Sequence, residues 1–196
     1  MKIKKIIEKI ASYLQLEDIL EYFKALREYE SGVSETQPEL TSDISSQLDF
    51  LVEIINNVNL DIASNYIPLK NIEEITVEDN EFNLSNLVKP LNKIIKVIKN
   101  GLELKFCYLS NKLKTANGKV KILYTYFPEE KSLNDEIEDY MGRVSLLTFT
   151  YGACSEYCLV KGDYEQAMVW DERYKDNLLS NARKVSNFYI KKRRWI

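Results

Sequence analysis

The tripeptide Lys161-Gly162-Asp163 constrains this chain most, because it separates two stretches in which apolar residues recur at helical spacing. Before it, Ile137, Tyr140, Met141, Val144, Leu147, Thr148, Tyr151, Cys154 and Cys158 recur every three or four residues, which gathers them on one helix face. After it, Ala167, Met168, Trp170, Tyr174, Leu178, Ala182, Val185 and Tyr189 form a second stripe. Gly162 can take the left-handed conformation that ends a helix. Asp163 can accept from the free amides of the next helix, and Gln166 can complete a capping box. The spacing therefore predicts an antiparallel helical hairpin over about 134–189.

A second seam runs through Ile44, Leu48, Leu51, Ile55, Val58 and Ile62 in alternating four- and three-residue steps. It predicts a long helix from about Ser42 to Ser64, packed on the hairpin, with Asn56, Asn57, Asn59 and Asn65 as weak formers on its outer face. Tyr66-Ile67-Pro68 stops it, because the residue before proline avoids helical angles. Upstream, Ile3, Ile6, Ile7, Ile10 and Leu14 mark a short amphipathic helix, and another follows from Glu17 to about Tyr29. The polar stretch from Ser31 to Asp43, with Gly32 and Pro38, has linker composition. Residues 1–35 are thus expected to be a helical appendage on a domain spanning 43–196.

Residues 71–127 change period. Glu74 to Val77, a turn at Asp79-Asn80 and Phe82 to Leu84 read as one hairpin, and Ile94 to Ile98 and Leu102 to Phe106 flank Asn100-Gly101 as another. Lys119 to Tyr126 alternates with period two. The expected fold class is α+β, mostly helical: a long helix and a C-terminal antiparallel hairpin with a small antiparallel β unit inserted between them.

Catalytic chemistry finds little footing. The chain has no histidine and six glycines, none in a phosphate-binding loop pattern. Glu129, Glu130, Asp135, Glu136, Glu138 and Asp139 cluster without metal-ligand spacing, at what the periodicity makes a helix N-terminus, where negative charge is favourable. The three cysteines, Cys107, Cys154 and Cys158, read as buried structural thiols rather than a disulfide framework or a zinc site. No cofactor, metal or catalytic residue is expected, and the chain is not read as an enzyme. No apolar run approaches a membrane span, and Met1-Lys2-Ile3-Lys4-Lys5 leads into an amphipathic pattern rather than a signal-peptide core, so synthesis in the cytoplasm is expected.

With 27 basic and 30 acidic residues the overall balance calls for no polyanion. The exception is local. Arg183 and Lys184 precede Lys191-Lys192-Arg193-Arg194-Trp195-Ile196, more cations than helix capping needs. Two readings follow: docking of Trp195 and Ile196 into a partner pocket with the cations on its acidic rim, or binding of nucleic-acid phosphates by a small regulatory protein. The docking reading is favoured, because the rest of the chain supplies no basic track.

Asn59 to Leu69, Tyr124-Thr125-Tyr126-Phe127-Pro128, Tyr151 to Cys158, Gly162 to Ala167, Trp170 to Lys175 and the terminal Lys-Arg-Arg-Trp together resemble the head-to-tail adaptor (connector) proteins of tailed bacteriophages and prophages. The resemblance covers roughly 43–196. It implies a structural virion protein assembled in the bacterial host cytoplasm: a ring of about twelve copies under the portal, lining a channel through which DNA passes without specific binding. The ring would receive a neck or tail protein, with Lys191, Lys192, Arg193, Arg194, Trp195 and Ile196 as the partner-binding residues and no membrane contact. Residues 1–35 depart from the compact adaptor plan.

Overall fold

The structure, a computed structural model, describes residues 1–183, with side chains through Ser180. It divides into two compact units, one made of Met1–Val58 with the chain from Lys131 onward, the other of Asn59–Glu130.

The first unit is helical. Helix α1 (Ile3–Leu14) buries Ile3, Ile6, Ile7 and Ile10 completely, and α2 (Glu17–Glu30) buries Ile19 and Phe23. Four isoleucines out of water are worth roughly 1.5–3 kcal/mol each, so α1 belongs to this unit's core. It is no appendage. Its start is tied to residues 135–137 by backbone bonds from Ile3 N–H to the Asp135 carbonyl (3.2 Å) and from Ile137 N–H to the Met1 carbonyl (2.9 Å). Helix α3 (Ser42–Asp61) continues into a π-helical turn at Ile62–Tyr66 and buries Leu48, Leu51, Ile55 and Val58 of the predicted seam.

Helices α4 (Leu146–Lys161) and α5 (Tyr164–Arg183) form the hairpin. Gly162 (φ 83°) closes α4, and the Asp163 carboxylate accepts from Gln166 N–H at 3.2 Å. The first helix was expected from about 134 but begins at Leu146. The pairing at 135–137 holds the chain extended there, and Met141 (φ 56°) and Gly142 (φ 69°) turn it through left-handed angles that no helix continues through. A capping box then starts the helix: Ser145 Oγ accepts from Thr148 N–H at 3.2 Å, and Thr148 Oγ1 accepts from Ser145 N–H at 3.3 Å.

Gly152 lets this packing close. A Cβ built there would lie 2.9 Å from Val58 Cγ1 and 3.0 Å from Tyr174 Cε2, so α3 and α5 both approach α4 more closely than any side chain allows.

The second unit overturns the expected fold class. The protein is not mostly helical with a small β insertion. About 48% of the described residues are helix and 23% strand, and among them seven strands form two antiparallel sheets in an α+β fold. Strands β1 (Leu69–Val77), β3 (Leu91–Lys99) and β7 (Gly118–Tyr126) are nine residues each; with β4 (Leu102–Leu104) they form one sheet in the order β1-β7-β3-β4. The shorter β2 (Glu81–Asn83), β5 (Cys107–Leu109) and β6 (Lys112–Lys114) form the other in the order β2-β6-β5.

The expected pairing of β1 with residues 82–84 is reduced to one bridge, Glu78 with Glu81. The turn at Asp79 (φ 51°) and Asn80 (φ 61°) forms, but β2 is too short to cover β1, because Asn83 Oδ1 accepts from Ser85 N–H and starts a 3-10 turn. β1 pairs along its whole length with β7, from Leu69 opposite Tyr126 to Val77 opposite Gly118. In β3, register shifts put Ile94 and Val97, three residues apart, both in the core, which breaks period two.

Candidate interaction surfaces

The partner-binding segment expected from the sequence, Lys191, Lys192, Arg193, Arg194, Trp195 and Ile196, lies outside the described residues, as does Lys184. Among the described residues no group of three or more Cys, Asp or Glu side chains is placed to hold a metal. Much of the acidic cluster is engaged within its own unit. Glu138 meets Lys131 Nζ at 2.8 Å, Glu129 meets Lys89 Nζ at 2.6 Å, and Asp135 Oδ2 accepts from Ser132 N–H. With the helix starting at Leu146, these carboxylates do not serve a helix N-terminus.

Cys154 and Cys158 are buried as expected, whereas Cys107 is exposed on β5. Burial, with Cys158 adding to it, pushes the Cys154 thiol up to about 12, and burial raises Cys158 as well. Neither is poised as a thiolate nucleophile.

Three aromatic rings join α1, α4 and α5. Tyr13 stacks on Trp170 (centroids 5.4 Å apart) and Tyr151 (6.1 Å), and Tyr151 on Trp170 (5.8 Å). Lys9 Nζ lies 4.9 Å from the Tyr13 ring and the Arg173 guanidinium 4.8 Å from that of Trp170. The stack explains why Tyr13, Tyr151 and Trp170 are only half-buried: each ring covers another rather than entering the core.

Beside this stack, α1 and α2 enclose a groove of about 450 Å³ that extends to Leu146. Lys5, Lys9 and Ser12 fall at i, i+4 and i+7 on α1, hence on one side of that groove. Arg27 stands on α2, its Nε–H donating to the Phe23 carbonyl at 3.3 Å, and Leu20, Phe23 and Leu146 supply apolar lining. Among the described residues, Glu8 is the only acid lining it. Lys5, Lys9 and Arg27 enter no ion pair among the described residues. The groove therefore carries positive charge in a chain whose net charge is -3.

Helix α5 has the opposite character. Ala167, Tyr174 and Leu178 face inward, while Tyr164 and Met168 are 65% and 74% exposed and Val169 is half-exposed. Glu165, Glu172 and Asp176 share this outer face, with Asp171 paired to Lys175 at 2.6 Å. The result is an acidic ridge on the outer face of α5, with Glu172, Glu165 and Asp176 along its middle, Tyr164 and Met168 on one side and Val169 on the other.

In the β unit the sequence hid a polar clamp. Tyr124 is fully buried, and its hydroxyl donates to Glu73 Oε2 (2.9 Å) while accepting from Asn71 Nδ2 (3.0 Å) and Lys89 N–H (3.3 Å). Glu73 also accepts from Val88 N–H at 3.1 Å, so one carboxylate and one phenol pin the loop before β3 onto β1. Burial, then the Glu73 carboxylate, holds the phenol above its ordinary pKa, where it stays a donor. The register Asn71 opposite Tyr124 places these groups together, and no local signal marks it.

Comparison with models of known protein families and with curated protein sequences finds no match to this chain. Among the described residues, no helix is long and apolar enough to cross a membrane.

Proposed function

We propose that this chain is a structural subunit of a head-to-tail adaptor ring in a tailed bacteriophage or prophage, seated between the portal and the next neck or tail protein. The observation that carries the reading is the resemblance in sequence, and its blocks occupy defined elements. Asn59 to Leu69 leads from α3 through the π-helical turn into β1, Tyr124 to Pro128 ends β7, and Tyr151 to Lys175 spans α4 and α5.

In this reading the hairpin is a stiff wedge between neighbouring subunits. Its stiffness has a physical source in the close approach at Gly152 and in the Thr148 hydroxyl bonded to Asn177 Oδ1 at 2.7 Å. The β unit faces the tail side, Lys191–Ile196 grips the portal, and the channel passes DNA without reading its sequence. The test is assembly. Purified chain mixed with the portal protein of the same phage is expected to give rotationally symmetric rings by electron microscopy. No co-assembly and no symmetric particles would remove the reading.

A further inference from the structure

We infer that the acidic ridge of α5 in one copy docks into the basic groove between α1 and α2 of a second copy. This deepens the adaptor reading, on which it rests for its context, by naming the contact between subunits.

Two surfaces of one unit argue for it. The ridge exposes the apolar side chains of Tyr164, Met168 and Val169. Glu165, Glu172 and Asp176 lie between Met168 and Val169 around the helix. The groove offers the complement: an apolar lining at Leu20, Phe23 and Leu146 with Lys5, Lys9 and Arg27 around it. A helix can lie in the depression between two helices, held by apolar contacts together with charged pairs. Opposite charges on the two rims set register and exclude the wrong pairing of ridge with ridge.

Ridge and groove are different patches of the same chain, and in the adaptor reading the contact runs head-to-tail. Each copy then offers one free ridge and one free groove to the next. Such contacts close into a ring when the rotation permits and otherwise grow into a filament.

The test uses the full chain and two charge-reversed variants. Lys5→Glu with Arg27→Glu makes the groove acidic; Glu172→Lys with Asp176→Lys makes the ridge basic. All four positions are exposed, so the melting temperature should change little and each variant should fold. Sedimentation over a concentration series is expected to show association of the parent chain, weakened at least about tenfold in either variant alone. A 1:1 mixture should associate again, because each acidic groove then meets a basic ridge and each basic groove an acidic ridge. Met168→Ser, which removes an apolar anchor without touching charge, should also weaken association.

A parent chain that stays monomeric at its highest soluble concentration would overturn the inference, as would variants that associate like the parent or a mixture that fails to recover. If the groove variant keeps self-association but loses salt-sensitive retention of DNA, the groove is a phosphate site and this contact is wrong. The adaptor reading fails separately: rings on portal that survive both variants sink only this contact, whereas ridge-and-groove oligomers that never bind portal sink only the adaptor assignment.

Discussion

Gly152→Ala opposes two effects whose sizes are known well enough to decide the sign. Replacing glycine by alanine inside a helix gains about 1 kcal/mol of intrinsic propensity. Here the new methyl would sit 2.9 Å from Val58 Cγ1 and 3.0 Å from the Tyr174 ring. Val58 and Tyr174 are 3% and 6% exposed, so neither can swing into solvent. Forcing a methyl into so dense a contact costs about 1–3 kcal/mol, and with both neighbours fixed the upper part of that range applies. The net expectation is destabilisation of about 1–2 kcal/mol, which for a chain of this length lowers the melting temperature by about 2–8 °C.

The decisive measurement is a double-mutant cycle by thermal or urea unfolding. Val58→Ala deletes the closest atom and by itself costs stability. In that background Gly152→Ala should cost less than in the parent, because the added methyl enters the space that Cγ1 vacated and only the contact with Tyr174 remains. The coupling between the two positions should then be at least about 1 kcal/mol. A Gly152→Ala chain that melts higher than the parent, or a cycle with no coupling, would show that α3, α4 and α5 do not meet as closely as the argument requires.

Other outcomes follow from the same reasoning. Leu51→Asp or Ile55→Asp should prevent folding, since both side chains are buried on α3 and an unpaired buried carboxylate costs several kcal/mol, while Lys70→Asp on the exposed side of β1 should fold; circular dichroism melts that match the parent would place the seam outside the core. Glu81, paired with Lys112 and Lys114 at 2.8 and 3.0 Å, titrates at about 2 rather than 4.5, mainly through its hydrogen bonds to those lysines. The folded state thus releases this proton more readily than the unfolded one, and its stabilisation is present above about 4.5 and lost as pH falls toward 2. An NMR titration should show the low midpoint and its rise in Lys112→Gln with Lys114→Gln; a native midpoint in the ordinary carboxylate range would contradict the pairing. Trp195→Ala should cost about 2 kcal/mol or more of portal affinity without shifting the melting temperature, and a loss that instead scales with the cations removed and with salt would turn the segment into a phosphate binder.

Local chemistry was legible in the order of residues. Gly162 and Asp163 mark the hairpin turn, Asn100 (φ 50°) and Gly101 (φ 81°) form the β3–β4 turn, and the four- and three-residue steps of α3 pick out its buried side. In each case the deciding interactions lie within a few residues. Gly142 and the Ser145 to Thr148 box also carried a local message, that the helix starts late, but an uninterrupted apolar period masked it. The rest depended on partners far along the chain. Residues 135–137 are extended because Met1 and Ile3 bond to them, β1 chooses β7 over β2 because only β7 matches its length, and Asn56 exchanges hydrogen bonds with the Lys131 backbone at 2.9 and 3.0 Å instead of weakening an outer face. The basic groove and the acidic ridge belong to the same class. Lys5, Lys9 and Arg27 look like ordinary surface cations until α1 and α2 are packed side by side, because charge becomes a surface only when tertiary structure sets which side chains share one face of solvent.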